Sequence, residues 1–285
     1  MPGSKADQRF IFCLKLCAIF CAGVVMAILG FLLYFTWPII QRGEIVAVFS
    51  LHWQPYQGQF GIIPMLIGSL CLAFLSMLIA YPLGIGISLF VCGLGPRFLT
   101  KPISRLVQFM AGVPTVVYGF VAAFSLVPFL RKSFPYGTGF CLLAASLTLA
   151  LLLLPTIVLV LITGLKPLQD RLRLTYLGLG LNTKQALLHI VLPSTKGCFL
   201  AAGILGFGRA LGDTLISLML AGNAPQIPSS WFDSIRTLTA HIALVVATDS
   251  QSAAYNSVFT AGLILFLVSL STNLILYYLH GKTKN

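Results

Sequence analysis

Long apolar stretches separated by short polar ones dominate this 285-residue chain. They fall at about residues 12–38, 64–92, 106–130, 139–164, 197–221 and 256–279, each near the ~20 residues a helix needs to cross a bilayer. The pattern predicts an all-α, polytopic membrane protein of about six transmembrane helices. The first stretch carries Lys15 near its start and closes at Trp37 and Pro38, an aromatic where an interface is expected. No small-residue cleavage site follows it, so a retained span is expected and not a removed signal peptide. Gly112 and Pro114 interrupt the third stretch, and Pro155 lies inside the fourth. A bundle tolerates both, because neighbouring groups satisfy the freed backbone.

Composition agrees with the pattern. Hydrophobic residues make up 58% and charged residues 8%, against roughly 25% charge in an ordinary soluble chain. One membrane domain is expected, with no room for a separate soluble one. The net charge of +12 raises the question of nucleic acid, and its distribution answers it. Lys5, Arg9, Lys15, Arg97, Lys101, Arg105, Lys166, Arg171, Arg173, Lys184, Lys196, Lys282 and Lys284 fall on one side of the expected topology. Only Arg42, Arg131, Lys132 and Arg236 fall on the other. The positive-inside rule then puts both termini in the cytoplasm, with membrane lipid and not nucleic acid as the partner of the basic loops.

The chain contains no G-x-x-x-x-G-K-[ST] phosphate loop, so any ATP hydrolysis belongs to another chain. Cys13, Cys17 and Cys21 repeat every four residues, and Cys71, Cys92, Cys141 and Cys198 also sit in or beside apolar stretches. No pair has zinc-site spacing. They read as small apolar residues, and no metal, cofactor or structural disulfide is expected.

The inner loop, about 165–196, differs from the others. From Leu168 to His189 it mixes apolar and basic residues at helical spacing, with Leu172, Tyr176, Leu179, Ala186, Leu187 and Ile190 forming stripes. Gly178 and Gly180 separate two short helices. Such helices either lie in the lipid interface or dock a soluble partner. Gly180 is followed by Ile190, Leu192 and Pro193 in the spacing G-x9-I-x-L-P. This resembles the cytoplasmic loop of bacterial ABC importer permeases, which sits in a groove of the ATPase subunit. The resemblance makes Gly180, Lys184, Ile190, Leu192 and Pro193 the ATPase-coupling residues. Where family members carry Glu-Ala-Ala, this chain has Leu174, Thr175 and Tyr176.

Arg209 and Asp213 lie inside the fifth apolar stretch, where a charge costs roughly 2.5–3.5 kcal/mol on insertion scales and usually faces a bundle interior or a water-filled path. Their spacing puts them on one helix face, close enough to pair. Gly208 and Gly212 form a G-x-x-x-G pair that admits a neighbouring helix. The pair either fixes packing alone or presents a guanidinium to an anion in transit. Arginine suits tetrahedral oxyanions, which its planar fork binds bidentately, and the carboxylate keeps the anion from binding too tightly to leave. Near Pro114, the displaced carbonyl of Met110 is either a harmless kink or part of a path lined by the hydroxyls of Thr115 and Tyr118.

The run from Gly208 to Thr214, G-R-A-L-G-D-T, resembles the G-R-A-x-G-E-T signature of phosphate-specific ABC transporter permeases, with Asp for Glu. Phe60-Gly61-Ile62-Ile63-Pro64, Gly68-Ser69-Leu70, Pro82-Leu83-Gly84-Ile85 and Ala111-Gly112-Val113-Pro114-Thr115-Val116-Val117-Tyr118-Gly119 match the same family in order. Met219 to Asn223 and Arg236 to Ala243 continue the likeness, which covers about residues 60–275 and leans to the PstC-type subunit. It implies a MetI-like core over residues 60–285, preceded by residues 1–59 as tail, first helix and outer loop. It further implies a homologous second permease, cytoplasmic ATPase subunits and an extracytoplasmic phosphate-binding protein. Arg209, Asp213, Thr115, Tyr118 and Thr214 are the expected substrate pathway, with transport by alternating access and no catalytic residue. The same architecture carrying molybdate, tungstate or sulfate, a proton-coupled transporter using Arg209 and Asp213 as a relay, and a membrane scaffold remain as alternatives.

Overall fold

A computed structural model describes residues 5–41, 48–54, 57, 59–134, 137–248 and 253–282. Arg42 and Lys284, sorted above by loop, lie outside the described residues, as do parts of the outer loops. Helix α1 spans Lys5–Gln41 and leads to a two-strand hairpin, β1 (Trp53–Gln54) against β2 (Gln59–Phe60), with Trp53 opposite Phe60. Helix α2 (Ile63–Leu89) starts on Pro64, a position where the missing N–H removes nothing from the helix. A turn of π-helix, Phe90–Leu94, ends it.

The expected third span is two helices, α3 (Arg97–Gly112) and α4 (Thr115–Ser133). Proline disfavours helical geometry in the residue before it, and Val113 is accordingly extended at ψ 128°. Helix α5 (Leu142–Arg171) is the central one. Its first two amides have no helical acceptor and donate instead to the carbonyls of Asp233 and Trp231, each at 2.9 Å. Leu149, Leu153, Ile157, Leu161 and Leu165 along it are fully buried. It packs most extensively against α2, and also against α3, α4 and α8 (Lys196–Gly212).

The inner loop folds as α6 (Arg173–Gly178) and α7 (Thr183–Ala186), the latter running into a π turn at Leu187–Val191. The expected fifth span is broken at its outer end. Helix α8 stops at Gly212, Asp213 is extended, and α9 covers only Leu215–Leu220. The stretch between the fifth and sixth apolar segments contains α10 (Leu238–Thr248), and α11 (Ala253–Lys282) packs against α1.

Among the described residues, four helical segments are long and apolar enough to cross a membrane: Phe10–Pro38, Ile63–Leu94, Thr115–Ser133 and Leu142–Arg171. A fifth results if Thr183–Ser194 and Lys196–Gly212, bent by 70° at Thr195, count as one broken span. Helix α11 has 30 residues, of which Ser257–Thr272 form its apolar described part. The apolar side chains of α1 are largely exposed, with Phe20, Met26 and Tyr34 well exposed, whereas Thr36 near its end is buried. On a soluble protein such a surface would drive association; on a helix long and apolar enough to cross a membrane it suits a lipid environment.

Candidate functional site

Arg209 sits in the last turn of α8. Its Nη1 donates to the hydroxyl of Thr156, on the central helix α5 beside Pro155. The expected pairing with Asp213 takes a different form. Asp213 lies just past the end of α8, where the backbone turns extended (φ −72°, ψ 127°), so it has left the helix face that Arg209 occupies. Its Oδ2 accepts the amide of Ile216 at 2.9 Å and so caps the first turn of α9. Among the described residues Arg209 makes no ion pair, although it lies close enough to Asp213 and Tyr118 to act on both electrostatically.

The break between α8 and α9 is held from outside by buried hydroxyls. Thr239 Oγ1 donates to the carbonyl of Asp213 at 2.9 Å, and Thr237 Oγ1 lies 3.1 Å from Thr239 Oγ1 and 2.9 Å from Ser217 Oγ. Ser217 in turn donates to the carbonyls of Asp213 and Thr214. Ser69 Oγ accepts the amide of Leu238 at 2.8 Å, which pins the start of α10 to α2. Gly68 is required next to it, because a Cβ there would stand 2.6 Å from the carbonyl oxygen of Arg236. Sequence motifs far apart in the chain thus converge on one junction.

Tyr118 is brought near Arg209, but its hydroxyl donates to the Met110 carbonyl at 2.9 Å. It joins the Val113 amide, 3.3 Å away, as a second donor to the carbonyl that Pro114 displaces. Thr115 and Thr214 are half-buried, at the first turn of α4 and between α8 and α9. Helix α9 packs against α4, where a Cβ on Gly119 would meet Met219 sulfur at 2.7 Å. Of the G-x-x-x-G pair, Gly208 faces Thr272 of α11 at ordinary contact distance and Gly212 faces open space. The close approach falls instead at Gly206, where a Cβ would lie 3.0 Å from Met77 sulfur and 3.2 Å from Ile157.

The coupling residues form a separate group. Gly180 has φ +72°, the left-handed conformation glycine adopts at no steric cost, and the amide of Leu181 returns to the Tyr176 carbonyl at 2.9 Å. Asn182 and Gln185 make a reciprocal capping box that starts α7. Tyr176, Ala186, Leu187 and Val191 are buried anchors, whereas Lys184 and Pro193 are exposed and Ile190 and Leu192 half-buried. Leu187 and Thr183 pack beside Gly93 in the π turn after α2, next to Gln169 of α5. Leu174, where a glutamate was expected from the resemblance, is 86% exposed, and Leu177 and Leu179 are exposed with it.

Sequence reasoning missed Thr156, the Ser217–Thr237–Thr239 cluster and the Asn182 cap. A single hydroxyl in an apolar run carries no pattern. The Asn182–Gln185 spacing was a legible capping signal.

A polytopic helical protein with a charged residue in a broken apolar helix and an anchored, partly exposed inner loop defines a membrane transport subunit. The comparisons with known proteins specify it. Residues 81–285 match the family described as "Binding-protein-dependent transport system inner membrane component", and the chain belongs to that family. It is 33% identical over 238 residues to the "Probable ABC transporter permease protein YqgH" of Bacillus subtilis, covering 82% of this chain and 77% of that protein. It is 28% identical over 273 residues to the phosphate transport system permease protein PstC of Pasteurella multocida, covering 88% and 84%. Among solved structures, the fold matches the inward-facing MetNI methionine ABC transporter with TM-score 0.55 and 17% identity, over 74% of this chain and 93% of that one. A bacterial ABC transporter that imports the acidic polysaccharide alginate matches with TM-score 0.56 and 15% identity, over 96% and 99%. The chain is therefore an ABC importer permease, a transport subunit of the membrane.

Proposed function

We propose that this chain is the permease subunit of an ATP-driven importer that moves inorganic phosphate across the cytoplasmic membrane by alternating access. The carrying observation is Arg209: a guanidinium in an apolar helix, oriented by Thr156 and free of a carboxylate partner among the described residues. Several relatives named as phosphate permeases, at 27–30% identity, support phosphate as the anion. An exposed guanidinium with N–H groups left over after Thr156 binds a tetrahedral oxyanion bidentately, and the nearby Asp213 charge limits the affinity so that the anion can leave. Thr115 and Thr214 offer further hydroxyls. Tyr118 contributes by holding the Met110 carbonyl out of the way.

In this reading both termini are cytoplasmic. ATPase subunits of separate chains grip the loop carrying Gly180, Lys184, Ile190, Leu192 and Pro193, a second homologous permease completes the path, and an extracytoplasmic phosphate-binding protein delivers the substrate. Residues 60–285 form the permease core and residues 1–59 an added first helix with its outer loop. The YqgH relative, whose name states no substrate, keeps sulfate, molybdate and tungstate as the second reading.

The test is radiolabelled phosphate uptake at low external phosphate, in cells lacking this protein and complemented with wild type or Arg209→Gln, with membrane levels checked. Wild type is expected to restore uptake and Arg209→Gln to lose roughly 10–100-fold, the size of a lost charge-assisted contact of about 1.5–3 kcal/mol. If wild type restores uptake of another oxyanion and not of phosphate, the substrate assignment falls. If Arg209→Gln transports like wild type, the guanidinium only packs helices.

A further inference from the structure

Arg236 is half-buried in the connection between α9 and α10, flanked by the fully buried Ile235 and the nearly fully buried Thr237. Its backbone is fixed on every side. The amide of Ile235 donates to the Ala221 carbonyl at 2.8 Å, the Arg236 carbonyl lies against Gly68, and the amide of Leu238 donates to Ser69. Its side chain is fixed at one atom: Nε donates to the carbonyl of Asn223 at 2.8 Å, a residue held at φ +58° in the turn that ends α9. Among the described residues neither Nη group has a partner and no carboxylate pairs with the guanidinium. Asp233, the acidic residue nearest in the chain, is engaged by the amides of Ser229 and Ser230 and by the Ser229 hydroxyl.

A cation that is partly withdrawn from water and left unpaired is costly, and proteins keep such groups where an anion completes them. With Nε engaged, the four remaining N–H bonds form a planar fork, the geometry that recognises two oxygens of a tetrahedral oxyanion. The position is also connected to the site described above. Thr237, the next residue, belongs to the hydroxyl chain that runs through Thr239 to the carbonyl of Asp213, four residues beyond Arg209. Arg209 and Arg236 are therefore carried by the two segments that meet at the same helix break, one by α8 and one by the segment that clamps the break.

We propose that Arg236 is a second oxyanion contact, which takes the anion on the outer side of the α8–α9 break before Arg209 does. This rests on the oxyanion-importer reading. An anion held at Arg236 pulls on the segment whose hydroxyls hold Asp213, so that capture and the geometry of the break are linked.

The test measures radiolabelled phosphate uptake against external phosphate for wild type, Arg236→Gln and Arg236→Lys, with membrane levels measured for each. Arg236→Gln is expected to lower uptake about tenfold at low phosphate and little at saturating phosphate, because a capture contact is bypassed when substrate is abundant. Arg236→Lys keeps the charge but loses both the planar fork and the Nε bond to Asn223, and is expected to recover only part of the uptake. If the uptake defect of Arg236→Gln comes with an equally clear fall in the Tm of the purified protein, the residue acts through its structural bond to Asn223 and the proposal falls. It falls equally if Arg236→Gln matches wild type, or if its defect is the same at saturating phosphate. If wild type carries sulfate or molybdate and not phosphate, the phosphate reading fails instead, and the same variants measured with that anion decide the role of Arg236.

Discussion

Tyr118 illustrates how one hydrogen bond redirects a functional expectation. A hydroxyl next to Arg209 in a proline-broken segment reads as a path-lining donor, yet the Tyr118 hydroxyl faces the Met110 carbonyl. Tyr118→Phe removes one of the two donors to that carbonyl and leaves the Val113 amide at 3.3 Å, at a cost of about 0.5–1.5 kcal/mol. The expected outcome is a lower Tm of the purified protein in detergent with uptake per molecule retained. Loss of uptake at unchanged Tm would return Tyr118 to the path. Arg209 was legible in the sequence because a charge in an apolar run is an anomaly. Its partner was not legible, because Thr156 is separated from it by 53 positions and stands in a run where a threonine is unremarkable.

Among the elements, the apolar stretches and their proline breaks were visible beforehand, since Pro114 acts on its own neighbours through local sterics. The break at Asp213 was not visible. A four-residue spacing from Arg209 predicts a shared helix face only while the helix continues, and capping by Asp213 is what ends that condition. The order within the loop from Ala221 to Ile235 was likewise not visible, since its prolines and serines mark a connection without saying what organises it. In the structure it covers the start of α5 and is organised by Asp233, whose carboxylate accepts from Ser229 and Ser230. These bonds, led by the Ser229 hydroxyl, hold its pKa below the ordinary aspartate value of 3.8. The folded state thus prefers the ionised form, so the bonds contribute above the ordinary value and are lost as pH falls through the lowered one. Hydrogen exchange in residues 229–233 is expected to stay constant from neutral pH down to about pH 4, after correction for intrinsic rates, and to lose protection only in stronger acid. Asp233→Asn should remove the dependence.

At the scale of the whole molecule, packing depends on a few places where helices touch almost without side chains. Apolar burial drives little between helices in lipid, and fit carries the association. Gly84 of α2 is such a place, because a Cβ there would stand 2.6 Å from Ile157 Cγ2 on α5. Gly84→Leu is expected to force these central helices apart at a cost of at least about 1–3 kcal/mol, read as a lower Tm in detergent and reduced membrane level. A variant of wild-type Tm would show that the two helices slide freely at this point.

The 70° elbow at Thr195 has a mechanical consequence. By helical rise, the arm from Thr183 to Ser194 is roughly 17 Å long and the arm from Lys196 to Arg209 roughly 20 Å. If the two halves move as one rigid body, they make a bell crank with nearly equal arms, and a push on the loop would turn through the elbow into a sideways swing of similar size at Arg209. Such a linkage changes the direction of a stroke and hardly its length. A partner that shifts the loop by a few ångströms therefore shifts the guanidinium by about as much, enough to make or break one hydrogen bond.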